Sequence, residues 1–149
     1  MPVRMTTSRR KISAFQEQQI SKYEKVLLNI FCEAGEECII EAKNGGTYTD
    51  WSGNLRSSIG YAVLRDGKVY QQGQVEQTKD GKEGIAEGKK YLKERIKKAK
   101  QDGIVLIVTA GMKYAEYVEA RGKVVLSSAE LKVSDIVREL LLGVGFKLK

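Results

Sequence analysis

Histidine is absent from all 149 residues. That removes Ser-His and Cys-His nucleophilic pairs and every metal set that includes an imidazole. Cysteine is scarce, with only Cys32 and Cys38. On a shared helix their spacing separates them by ~9 Å along the axis. A disulfide tolerates no more than ~7 Å between Cα atoms, so they read as free thiols of a reducing compartment. Two cysteines also fall short of a four-ligand structural zinc site, and no EF-hand-like carboxylate spacing is present. No cofactor or metal is expected. Long apolar runs are missing too. Nothing approaches the ~20 residues of a membrane-spanning helix, so no membrane partner is expected. The arginines within Met1–Ser13 are followed by no apolar h-region, which argues against a secretory signal.

What is present is ordinary for one domain with its own core. The net charge of +7 suits nucleic acid, an anionic surface or an acidic protein partner, and equally suits plain solubility. Residues 1–11 are polar and basic without periodicity, and read as a flexible arm. A single α+β domain is expected over 12–149.

Residues 12–43 carry the longest helical pattern. Ile12, Phe15, Ile20, Tyr23, Val26, Leu27, Ile30 and Phe31 recur at three- and four-residue steps. Ser13 is the expected cap, Gly35 a kink or end, and Asn44-Gly45-Gly46 the stop. Residues 47–58 are turn-rich, with Trp51 held in a loop. Ile59–Leu64 and Lys68–Gly73 flank Asp66-Gly67, a strong hairpin signal. A polar loop to Gly84 leads to a helix over 85–101. One face of it holds Ile85, Leu92, Ile96 and Ala99, and the other holds Lys89, Lys90, Lys93, Lys97 and Lys100. Ile104–Val108 is apolar on both faces and reads as a central strand. A short helix over 112–120 follows. Ser127 to Glu130 forms a capping box opening a helix through Leu142, and Phe146–Lys149 alternates like an edge strand. The sum is α+β: a long N-terminal helix and a C-terminal helix packed on a small, mostly antiparallel sheet.

Sites of chemistry are sparse. Gly84 to Lys90 lacks the spacing and the Ser/Thr of a phosphate loop. Gly143-Val144-Gly145 ends a helix where a dinucleotide fingerprint would begin one. Glu116 and Glu119 lie one turn apart, as solvated or ion-paired carboxylates commonly do. The lysine stripe of 89–100 has only Tyr91 nearby for stacking on bases, so a solvated face is the simpler reading.

Two segments are more specific. Thr49-Asp50-Trp51-Ser52-Gly53-Asn54-Leu55-Arg56-Ser57-Ser58-Ile59 resembles the T-G-x-L-R-x-S-I signature of a family of tailed-bacteriophage minor tail components, the tail-completion or head–tail joining (neck) proteins. Lys113-Tyr114-Ala115-Glu116-Tyr117-Val118-Glu119-Ala120-Arg121-Gly122 resembles that family's second signature, Y-A-x-x-V-E-x-G. The resemblance spans roughly residues 12–142, with both signatures in the family's order. It implies a non-enzymatic subunit that assembles with itself in a ring. Its partners would be neck and tail proteins, an adaptor or stopper and the tail tube, with DNA at most a passing cargo. Its place would be the virion tail or neck, after assembly in the host cytoplasm. The signature and interface residues so implied are Trp51, Gly53, Asn54, Leu55, Arg56, Ser57, Tyr114, Tyr117 and Glu119. Gly122 is followed by Lys-Val-Val-Leu where the family often has Gly-Thr and a proline, which leaves subtype and ring size open.

From the residues themselves, Gly53 suits a sharp turn, and Leu55 and Ile59 suit a core plug where the loop enters the strand. Arg56 offers a planar fork for a carboxylate, with Glu119 the expected partner. Lys89, Lys93 and Lys97 form a possible docking or DNA-facing surface. The alternative to a phage subunit is a small basic nucleic-acid-binding protein.

Overall fold

The structure, a computed structural model, describes residues 8–74, 76–77, 79–123, 125–145 and 147. Among these, α1 (Arg9–Gly45) is followed by α2 (Asn54–Ser57), β1 (Ile59–Arg65), β2 (Lys68–Gln74), α3 (Lys82–Lys98), β3 (Ile104–Ala110), α4 (Ala115–Ala120) and α5 (Ser127–Gly143). The fold is α+β, and every strand pairing is antiparallel.

Helix α1 starts earlier than its apolar pattern. Ser8, not Ser13, is the cap, its Oγ accepting from the Lys11 amide at 3.3 Å. Residues 9–11 of the expected arm are therefore helical, while 1–7 lie outside the described residues. The helix also runs straight through Gly35. A glycine there costs about 1 kcal/mol of helix propensity, but a Cβ would strike the ring of Tyr61. The missing side chain lets α1 settle close on the sheet.

The hairpin forms as its turn dipeptide requires. Asp66 and Gly67 both adopt positive φ, at 49° and 80°, the geometry of a tight turn whose twist matches that of the strands. Strand order is β2-β1-β3. The strand β3, apolar from Ile104 to Val108, is thus an edge, and β1 is the centre. The two-faced apolarity of β3 has another cause, since helices cover both faces of the sheet. Ile59, Tyr61 and Val63 of β1, with Leu106 and Val108 of β3, pack against Leu28, Cys32, Cys38, Ile39 and Ala42 of α1. Ala62 and Leu64, with Val105 and Ile107, pack against Leu92 and Ile96 of α3 and Ala99 at its C-cap. Each fully buried aliphatic contributes about 1.5–3 kcal/mol, so both layers favour an apolar β3.

Helix α3 runs 82–98 in place of the expected 85–101, which brings Gly84 inside it beside Gly88. The fourth helix begins at Ala115, three residues after its expected start. Helix α5 packs chiefly on α1, with Ala129 and Val133 in the α1 layer. An apolar groove of about 350 Å³ remains between α1, α5 and β3. The edge strand expected over Phe146–Lys149 falls on Phe146, Leu148 and Lys149, outside the described residues. Cys32 and Cys38 are buried and unbridged. No helix among the described residues is long and apolar enough to cross a membrane.

Candidate interaction site where the two signatures meet

The loop after α1 and the loop after β3 converge at one end of the sheet. Tyr48 and Leu55 from the first segment pack with Ala115 and Val125 from the second, flanked by Met112, Val118 and Leu126. Two stretches about sixty residues apart in sequence thus share one small core.

Polar residues of the signatures serve helix ends. Asp50 is buried; its Oδ1 accepts from the Gly53 amide and its Oδ2 from the Arg56 amide, both at 3.0 Å. Gly53, at φ 80°, turns the chain so that α2 begins over that carboxylate. Asn54 reaches further. Its Oδ1 accepts from the Gly84 amide at 3.0 Å and its Nδ2 donates to Glu83 at 3.3 Å. Helix α3 has Gly81 at its cap position, which offers no side chain, so Asn54 supplies the cap from outside. Lys79 donates to the Asp50 carbonyl at 2.6 Å and closes the loop. Leu55, Ile59 and Ser57 are fully or almost fully buried, so the expected core plug is present.

Arg56 and Glu119 do not pair. Arg56 Nε donates to the Lys43 carbonyl at 3.2 Å, in the last turn of α1, and its guanidinium lies 4.9 Å over the Tyr48 ring. Glu119 accepts from the amides of Val125, Leu126 and Ser127 at 3.3, 2.8 and 2.7 Å. Burial raises its pKa, but these three bonds and one from the Ser127 side chain outweigh that and hold the carboxyl below its ordinary value. The expected capping box is replaced accordingly. Helix α5 has Leu126 at its cap position with no side-chain cap there, and Glu119 does the work from α4. Each ion finds the end of a helix with opposite partial charge: the arginine the carbonyl end of α1, the glutamate the amide end of α5. Those ends leave neither ion in need of the other.

Burial pushes the Tyr48 hydroxyl up to about 12; Arg56 opposes the shift, while Asp50 and Tyr114 add to it. Tyr114 is raised by burial and by the nearby Asp50 and Glu83, with the Ser52 side chain opposing the shift. Neither phenol supplies charge near neutral pH. The outer surface of this end is aromatic. Trp51 is 87% exposed, Tyr117 58% and Tyr114 40%. Arg121 lies 4.8 Å over the Tyr117 ring. Sequence reasoning missed Asp50 as an organising carboxylate and Lys79 as its clamp. The Asp-x-x-Gly spacing of Asp50 and Gly53 is the one local signal that could have shown the first.

Lys89, Lys93 and Lys97 lie apart from this end, exposed along α3, and none of them has an ion-pair partner among the described residues. Among those residues no cluster of three or more cysteines and carboxylates is arranged to hold a metal ion. Comparison with protein-family models, with curated proteins and with solved structures finds no match to this chain.

Proposed function

We propose that this chain is a non-catalytic structural subunit of a tailed bacteriophage, a tail-completion or head–tail joining protein that assembles in a ring. Its partners are neck and tail proteins, an adaptor or stopper on one side and the tail tube on the other, and its destination is the virion. The observation that carries the reading is the meeting of the two signature segments in one core, with their polar residues used as helix caps and their aromatics turned outward. Asp50, Asn54, Arg56 and Glu119 are occupied in holding backbone. Trp51 and Tyr117 are free to dock, and large aromatics on a rigid base are the side chains that carry binding energy at protein interfaces.

Trp51→Ala tests this. The indole touches little, so the variant should melt with the wild type. It should fail to join rings, or to co-sediment with neck and tail-tube proteins, and mass spectrometry of purified particles should find it depleted. A folded Trp51→Ala protein that enters particles normally would show that the signature end is not the docking surface. A protein that stays monomeric both alone and with those partners would refute the ring.

The second reading, a nucleic-acid-binding protein, draws on the lysine stripe of α3. Changing Lys89, Lys93 and Lys97 together to glutamine should leave thermal melting unchanged, because exposed lysines contribute little to stability. A DNA binder would lose affinity in that variant, and the wild type would show a steep salt dependence. A phage subunit would show neither effect.

A further inference from the structure

Most of the first half of α1 stands exposed among the described residues, with Glu24 reaching Arg65 at 2.6 Å near its end. Its buried residues begin only at Leu28. Before that, Phe15 is 61% and Ile20 65% exposed. Charge is divided along the helix. Lys11, Lys22 and Lys25 stand exposed in the first half, beside Glu17 and an Arg65-paired Glu24, and no cationic residue occurs between Lys25 and Lys43. That second stretch carries Glu33, Glu36, Glu37 and Glu41. Glu36 accepts from the Tyr61 hydroxyl at 2.5 Å, and Glu41 pairs with Lys132 at 3.0 Å. Glu33 and Glu37 are left exposed without an ion-pair partner among the described residues. Gly35 faces the sheet, so these two, each two residues away at about 100° per residue, point outward.

One exposed stripe joins the two halves. Phe15, Gln18, Lys22, Glu33, Glu37 and Ile40 are all exposed. They follow one another at steps of 3, 4, 11, 4 and 3 residues, and eleven residues make about three turns. The spacing is the same read from either end, and the matching positions are complementary: apolar Phe15 and Ile40 at the ends, Gln18 and Glu37 next, and the opposite charges of Lys22 and Glu33 innermost. Such a stripe is complementary to a copy of itself turned end for end, the condition for a two-fold contact.

We infer that α1 is an antiparallel pairing surface whose occupant is a second copy of this chain. In the register set by the palindrome, Lys22 meets Glu33 of the partner subunit, Gln18 meets Glu37 of the partner subunit, and Phe15 covers Ile40 of the partner subunit. Each contact occurs twice by symmetry. A nucleic acid suits the stripe poorly, because half of it is acidic and its ends are apolar. The pairing goes beyond the ring reading and does not depend on it, since it needs no phage partner.

Sedimentation of the full chain at low salt tests it, with Lys22→Glu, Glu33→Lys and the double variant run beside the wild type. Both sites are exposed, and circular dichroism melting confirms that each variant is folded. The wild type should form a concentration-dependent dimer that weakens as salt rises. Each single reversal places like charges together twice and should raise the dimer Kd by about tenfold or more. The double variant should regain the dimer. Phe15→Cys with Ile40→Cys in one chain should cross-link between copies under oxidation. A wild type that remains monomeric at every concentration overturns the inference, as does a dimer indifferent to both reversals or a double variant no better than the singles. A duplex DNA fragment retained by the wild type and lost by Lys22→Glu, with no dimer seen, would assign the stripe to nucleic acid instead.

Discussion

Replacing Gly84 by alanine is expected to destabilise the fold by about 1–2 kcal/mol, although alanine is the better helix former. Propensity alone would favour the change by about 1 kcal/mol. Packing opposes it. A Cβ at Gly84 would lie 2.7 Å from the Cα of Asn54 and closer still to its carbonyl oxygen. Gly88 stands in the same relation to Ser58, whose carbonyl oxygen would be 2.6 Å away. Backbone cannot rotate aside as a side chain can, so α3 would have to lift from α2. Overpacking of this kind costs about 1–3 kcal/mol and occasionally more. The Asn54 cap on the Gly84 amide would be strained as well. Gly143 is the control, a glycine in α5 where an added Cβ meets nothing within 4 Å. Gly143→Ala should be neutral or slightly stabilising. Urea unfolding of both variants separates the effects, and equal behaviour of the two would mean that α3 does not approach α2 this closely.

Glu119→Ala is expected to cost about 1–3 kcal/mol, because three amides at the start of α5 lose their acceptor together. Glu119→Gln keeps an acceptor and loses the charge, so it should fall between. The pH dependence follows from the lowered carboxyl pKa. A group whose folded pKa lies below its unfolded value contributes its stability above the unfolded value, here about 4.5. That contribution fades as pH falls through the lower folded pKa. The stability gap between wild type and Glu119→Gln should therefore be full near neutral pH and close in acid. A gap of constant size across the acid range would show that hydrogen-bond geometry, not charge, sets the effect. Arg56→Ala should cost about 1–2 kcal/mol through the lost Lys43 carbonyl bond and the Tyr48 contact. Because Arg56 and Glu119 share no partner, the double variant should equal the sum within about 0.5 kcal/mol.

What could be read from the residues beforehand was what local rules govern. The hairpin follows from Asp66-Gly67, and the long helix from its apolar steps. The strand order was misread because Ile104–Val108 and Ile59–Leu64 are both unbroken apolar runs, and apolarity on both faces reports coverage by helices, not centrality. The polar β2 (Lys68 to Gln74) was the better clue that one edge lay there. The signature segments were legible as segments, and Leu55 and Ile59 as core. Their polar roles were not. Asn54 caps a helix thirty residues on, and Arg56 a helix end thirteen residues back. A cap delivered from that distance leaves no pattern around the helix it serves. The local capping box at Ser127 was present in the letters and unused in the fold, since Glu119 already occupies those amides.

The exposure of Trp51 decides what light can report about this molecule. Its indole, the only one in the chain, sits in water while the protein is folded. Its emission should already resemble that of a solvated indole, and denaturant should hardly shift it. Fluorescence would stay nearly flat through a transition that circular dichroism records in full. The same indole should turn blue and resist acrylamide quenching once another protein covers it. Emission from this single residue therefore measures docking free of any contribution from folding, and it can time assembly in a mixture where every other signal changes at once.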